Sequence, residues 1–435
     1  MKKLFIAATC ALLSAALVVP AFADHKIGGY FRTQGIMNNV NQPLATDNAA
    51  QPKQWVDNRI RAMWTNNINE FVSTVWYVEA DFPWGMAGST PSGSTETGGK
   101  WGADGVNIET KNAYASIKIP ETPVSMVVGI QGFGDNFHSL VINEDVAGLK
   151  VDAKLGMVDL TALWSKAEEG AQNAEDDIDL YWLEGNLKPM DRLTVGLTGA
   201  WKHDQAANMD NYFVGVDGGF KLDMVDLDGF FVYNFGTNDG ALASGKDQDI
   251  SAWALSLNAK AKVSAVKVGG GLLVMSADDD EDDDMSLNGG QGSFQFYDAG
   301  LQIFLADIYY NNQAGRGAGG RLAIDDAGAA GYGLFGLWVN GAMDLPAVKG
   351  MYVKGAAGYF AALDDKTDKD NTTKTEGTQL GFELAAMVGI KVAGAADFSL
   401  RGAYAVLGDF YDKTAAGAKD PDDLYNVVLM LNVPY

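Results

Sequence analysis

Cysteine is almost absent from this chain. The only one, Cys10, lies in an apolar stretch at the N-terminus. Lys2 and Lys3 give that stretch a positive end, Leu4 to Pro20 carries no charge, and Ala21-Phe22-Ala23 matches the small-x-small pattern of signal cleavage. Residues 1–23 are therefore expected to be a cleaved signal peptide, leaving 24–435 as a single domain. Without Cys10, disulfides, thiolate metal sites and cysteine nucleophiles are excluded together.

Long hydrophobic runs are lacking too. After residue 23 no segment approaches the ~20 apolar residues of a spanning helix. Basic charge is scarce: 32 Lys and Arg stand against 56 Asp and Glu, and leaving out Lys2 and Lys3 gives 30 against 56, a formal charge of −26. Such acidity argues against nucleic-acid partners, which need basic patches. Histidine is limited to His25, His138 and His203, far apart in sequence. Only His138 has a serine neighbour, Ser139, and adjacent residues of an extended chain point opposite ways. No catalytic set is visible and no enzyme is expected. The 11 prolines all fall in the signal, a loop, a turn or a strand end, as they must where every strand is central.

What is present is period two over long segments. Leu380, Phe382, Leu384, Ala386, Val388, Ile390 and Val392 share one face, opposite Gly381, Glu383, Ala385, Met387, Gly389 and Lys391. Val72, Thr74, Trp76, Val78, Ala80 and Phe82 repeat the pattern opposite Ser73, Tyr77, Glu79 and Asp81, and Leu193, Val195, Leu197, Gly199 and Trp201 form a third such face. A tilted strand needs ~9 to 11 residues to cross a bilayer. Eighteen such segments are expected, from 26–36 to 423–435, with 16 as the alternative count. Short turns such as Leu155-Gly156 and Lys262-Val263 alternate with long polar loops. This sorting marks a transmembrane, antiparallel, up-and-down β-barrel, an all-β fold with short periplasmic turns. Trp76 and Trp201 have the phase of interfacial girdles, whereas Trp182 reads either way. Glycines inside strands, Gly28, Gly29, Gly269 to Gly271 and Gly355, read as relief of crowding where the sheet curves.

The chain ends on Tyr425, Val427, Leu429, Leu431, Val433 and Tyr435, one apolar face closing on an aromatic. This resembles the signal read by the barrel assembly machinery of outer membranes. Together with Gly29-Tyr30-Phe31-Arg32, the run Tyr77 to Gly85, and Ile108 to Tyr114, it resembles the trimeric porins of sulfate-reducing, Desulfovibrio-like, and related bacteria. The resemblance implies a homotrimer of water-filled barrels set in outer-membrane lipid and lipopolysaccharide. It also implies a third outer loop folded inward against a basic wall. Here that loop is Gly132 to Asp145, with Asp135, Glu144 and Asp145, and the wall is Arg32, Arg59 and Arg61. An arginine facing lipid at mid-depth costs roughly 2 to 4 kcal/mol, so the lumen is the expected side for Arg59 and Arg61. Two alternatives stand beside this. The arginines pair with the inward-phase Glu79 and Asp81, or the 54-residue loop Ala277 to Ala330 occupies the lumen. Within it, Phe294 to Tyr310 is unusually apolar and reads as pore cover, subunit interface or an unassigned strand.

Glu383 joins Glu79 and Asp81 as an expected lumen-lining acid. The run Asp278, Asp279, Asp280, Glu281, Asp282, Asp283 and Asp284 reads as a solvated loop, with calcium binding as the sharper alternative. It lacks the spaced ligands of an EF-hand, so no firm metal or cofactor is expected. The expected function is a porin with a wide, wet lumen for passive diffusion of small hydrophilic solutes, with cation preference from the acidic charge. The rivals are a channel selective for a sugar or small organic anion, to which Tyr30, Tyr77 and Tyr114 would contribute, and a structural or adhesive protein. The closed ladder predicts a far-ultraviolet spectrum of β type, and a folded band that resists SDS until boiled. A helix-dominated spectrum, or solubility without detergent, would reject the barrel.

Overall fold

The computed structural model describes residues 24–40, 53–85, 99, 101, 106–170, 176–239, 247–277, 283–284, 300–305, 322–364, 377–412 and 420–435. The expected signal peptide lies outside them. Among the described residues nineteen strands join in one sheet, and one of these is a two-residue piece, Asp283–Asp284, lying parallel to Asp249–Ile250. The other eighteen form an antiparallel ladder in chain order. The first strand, Asp24–Asn38, pairs with the second, Lys53–Asn67, on one side and with the last, Leu424–Pro434, on the other. The sheet is thus a closed barrel. Closure leaves no edge, so every strand amide has a neighbour to pair with.

The strands run from 10 to 16 residues, and the expected segments each fall on one of them. Turns at one end are tight. Two residues join Leu155 to Val158, Met190 to Leu193 and Val263 to Val266. Ala393 and Gly394 both take positive φ, 52° and 70°, the geometry of a type I′ turn that matches strand twist. The other end carries the longer connections, with one exception. Only 205–208 joins His203 and Asp204 to Met209, and the Asp204 carboxylate closes it by accepting the Ala207 amide at 2.9 Å.

Alternation sorts the side chains. Val195, Leu197, Leu337, Val339, Phe382, Leu384 and Leu429 are exposed on the outer wall, while Thr198, Asn211, Asn234, Ser256 and Glu383 are buried inside. One residue of the expected outer face is turned in. Leu380 is fully buried because the ladder slips between Phe360 and Ala361, opposite Gly381. Gly381 has φ 132°, and a Cβ there would lie 2.0 Å from the Val406 carbonyl oxygen. Only glycine permits that kink, which reverses the phase of the residues before it.

Aromatic rings mark both rims of the outer wall. Near the short turns Trp64 stacks on Trp76 at 5.3 Å. Near the opposite rim Tyr181, Trp201, Tyr212 and Phe235 stack in series on four adjacent strands, at 5.1, 6.1 and 5.3 Å. Trp182 and Trp338 do not belong to these belts. Both are buried and point inward.

The interior departs from the expected wide, wet lumen. Phe137, Leu140, Val141 and Ile142 of one loop, Leu301, Ile303, Phe304 and Leu305 of another, and Leu322, Ala323, Ile324 and Ala327 join inward wall residues in one hydrophobic cluster. The apolar 300–305 segment is therefore neither strand nor exposed patch. It packs against the wall from inside, with Phe304 5.0 Å from Phe360. Residues 323–332 form a helical segment of π type whose Ala323, Ile324 and Ala327 are buried in the same cluster.

Candidate functional site

Three charged rows lie on the first three strands, and register puts them there. Arg32 is opposite Arg59, Arg59 opposite Asp81, and Arg61 opposite Glu79. Cross-strand partners share a face, so all five charges meet in the lumen. Arg59 donates through Nε to Asp81 Oδ1 at 2.7 Å and lies 3.2 Å from Glu79 Oε1. Arg61 pairs with the other Glu79 oxygen, and its guanidinium sits 5.6 Å and 5.8 Å from the rings of Tyr30 and Tyr77. Arg32 and Arg59 are buried. Of the alternatives open in the sequence, the geometry is that of arginines paired with Glu79 and Asp81.

The loop acids do something else. The segment 135–142 does fold inward, but Asp135 is not aimed at the arginines. Its carboxylate accepts the amides of Phe137, Ser139, Val141 and Ile142 at 2.6 to 2.9 Å. Burial pushes it up to about 6 in spite of these donors. It organises the loop. Asp145 is held by Lys111 Nζ at 2.5 Å and Asn112 Nδ2 at 2.8 Å. Glu144 is exposed at the start of the next strand, opposite Phe133. The two charged groups expected to face each other across an eyelet are thus each engaged locally.

Phe137 seats the loop. Its ring lies 5.6 Å from Phe230 and 6.3 Å from Trp182. A Cβ at Gly215 would meet that ring at 2.4 Å, so the wall has a glycine where the loop docks. At the loop tip His138 and Ser139 have φ of 56° and 62°. The chain there is left-handed rather than extended, so both side chains line the same cavity instead of pointing apart. His138 Nε2 is 2.9 Å from Asp228 Oδ2.

Glu383 is buried and does not line open lumen. Its carboxylate accepts three backbone amides of the inward long loop: Gln302, Ile303 at 3.0 Å and Phe304 at 2.8 Å. A wall carboxylate thus latches the loop in place. Neither this latch nor the His138–Asp228 contact was visible in the sequence, where Glu383 carried only an inward phase. In the acidic run, Asp278, Asp279, Asp280, Glu281 and Asp282 lie outside the described residues. Among the described residues no group of His, Cys, Asp or Glu is placed to hold a metal ion. His203 contacts Asp210 at 2.8 Å and His25 contacts Asn66 at 2.6 Å, and neither histidine lines the cavity beside His138.

Solved structures share this architecture. OccK8 (OprE) of Pseudomonas aeruginosa superposes with a TM-score of 0.57 at 12% identity, over 95% of this chain and 98% of its own. The fold is that of an outer-membrane porin. The outer membrane protein OpdK of the same organism gives 0.56 at 11% identity, over 95% and 98%. OccAB4 of Acinetobacter baumannii gives 0.55 at 11%, over 96% and 100%. No family model and no curated protein matches the sequence.

The latch generates a prediction. In Glu383→Ala three buried amides lose their acceptor, at roughly 1 to 3 kcal/mol each, which is enough to free the loop from the wall. Single-channel current should rise and become noisier, whereas Glu383→Gln, which keeps one acceptor oxygen, should fall between. Identical current traces in all three would remove Glu383 from control of the lumen.

Proposed function

We propose that this chain is a solute-selective passive channel of the bacterial outer membrane. The observation that carries the reading is the joint burial of loops 135–142 and 300–305 in one cluster inside the barrel. A barrel of 16 to 18 strands otherwise encloses an open aqueous channel. Two inward loops narrow it to a passage whose walls every solute must touch. The alternative drawn from the sequence, a selective channel, is thus favoured over a wide general pore. Discrimination in a narrow passage comes from lining groups and not from diameter alone.

Cation preference belongs to the same proposal. Its support is the −26 formal charge without the signal. The sequence resemblance supports three associated proposals: trimeric assembly, contact with lipopolysaccharide, and recognition of the terminal strand by the assembly machinery. Calcium at the acidic run is proposed on composition alone.

Two measurements test the reading. Purified protein in a planar bilayer should give small, discrete potassium currents, and a zero-current potential of cation sign in a potassium chloride gradient. Large currents insensitive to solutes would favour the general pore, and anion selectivity at neutral pH would reject the charge assignment. Replacing Arg59 and Arg61 together by Gln leaves Glu79 and Asp81 without their counter-charges, so cation selectivity should rise. Adding Glu79→Gln and Asp81→Asn should return it toward the starting value. Unchanged selectivity in a folded double variant would take these arginines out of the ion path.

A further inference from the structure

Beneath the tip of loop 135–142 lies a lumen cavity of about 380 Å³, within the size range of small-molecule sites. We infer that it binds a neutral polyhydroxylated solute, of the sugar class, in transit. The inference rests on the channel reading and names the class of solute that the channel selects.

Charge in the cavity is spent internally. Asp228 Oδ2 is 2.9 Å from His138 Nε2 and accepts Asn258 Nδ2 at 3.0 Å, while its Oδ1 lies 3.6 Å from Lys260 Nζ. The Asp135 carboxylate is filled by four loop amides. A carboxylate or phosphate solute needs a surplus of basic groups. Lys260 already faces Asp228, so the cavity has no such surplus. An ammonium solute meets an acid that three donors already approach.

What is left for a ligand is neutral. Ser139 and Asn340 line the cavity, and among the described residues neither side chain has a hydrogen-bond partner. A hydroxyl and an amide each both donate and accept, which matches a sugar hydroxyl, itself donor and acceptor. Groups so placed are satisfied by water or by a solute that replaces water with its own hydroxyls. Trp338 adds an apolar ring face to the lining.

The wall is shaped for these groups. Gly269 and Gly271 sit on the strand Val266–Met275, between the strands that carry Asn258 and Asn340. A Cβ at Gly271 would lie 2.0 Å from Asn258 Oδ1 and 2.7 Å from the Trp338 ring, and one at Gly269 would lie 2.7 Å from Asn340 Oδ1. The glycines therefore do more than relieve curvature. They let both amides and the indole come close to the strand backbone at these two positions.

The test uses the full protein in a planar bilayer, with maltose as probe and gluconate and glucosamine as charged comparators. Maltose should interrupt the potassium current saturably, more strongly than either charged sugar. Asn340→Leu and, separately, Ser139→Ala should each raise the half-blocking maltose concentration by roughly tenfold, the loss of one good hydrogen bond. Block is read against each variant's own open current, and each variant must show the heat-modifiable folded band. Two variants are used so that one misfolded protein does not leave the question open. Stronger block by gluconate than by maltose, or maltose block unchanged in both variants, would overturn the sugar site while leaving the channel intact. Absence of any potassium current would overturn the channel reading itself, and this inference with it.

Discussion

An amide without a partner in hydrocarbon costs several kcal/mol, and this constraint organises the whole molecule. Pairing of Tyr30 through Asn38 with Asn426 through Pro434 joins the last strand to the first. Closure then dictates alternation, since each residue must point either to lipid or to the enclosed space. Leu337 and Val339 are exposed on one face because Trp338 and Asn340 take the other. Even the departures obey the rule. The slip at Gly381 costs a left-handed backbone that only glycine adopts readily, and it turns Leu380 into the interior cluster.

Inside the barrel a second constraint operates, the need to satisfy loop amides away from bulk water. Two carboxylates meet it in mirror fashion. Asp135 belongs to the loop and gathers four of the loop's own amides, whereas Glu383 belongs to the wall and gathers three amides of the loop that visits it. Each loop then buries apolar side chains, Phe137 on one and Ile303 and Phe304 on the other, against inward wall residues. Backbone capture and apolar burial act together, so a loop at the rim becomes part of the lumen's interior. The proposed selectivity rests on this narrowing, because a narrow passage brings each solute into contact with its walls.

Pairing also limits what net charge says about the path. The chain is strongly acidic, yet Glu79 and Asp81 carry Arg59 and Arg61 against them, and Asp145 carries Lys111. Acids in exposed loops act through solvent, where screening falls off over a Debye length of ~8 Å at physiological salt. The field that a solute feels is set by the few lumen groups whose partners can be changed. In the proposed channel, the arginine rows rather than the total charge are therefore the place to alter selectivity.

Strand positions, the count of 18, the closed antiparallel order and, apart from Leu380, the outer face were legible in the sequence. Period two is a local property, and each strand's own residues must satisfy lipid on one side. The lumen phase of Arg59, Arg61, Glu79 and Glu383 was legible for the same reason. The partners were not. That Glu383 would meet residues 302–304, some eighty positions earlier, or that His138 would reach Asp228, depends on where loops fold once the barrel exists. A loop has no periodicity to read, and adjacent His138 and Ser139 escape the alternation rule because their backbone is left-handed. Gly269 and Gly271 read in sequence as curvature relief, whereas Asn258, Asn340 and Trp338 lie against them in the fold. By itself the sequence determined the wall, because the bilayer tests every strand residue independently. The tertiary structure decided the passage, because contacts across the lumen join residues that no local pattern links.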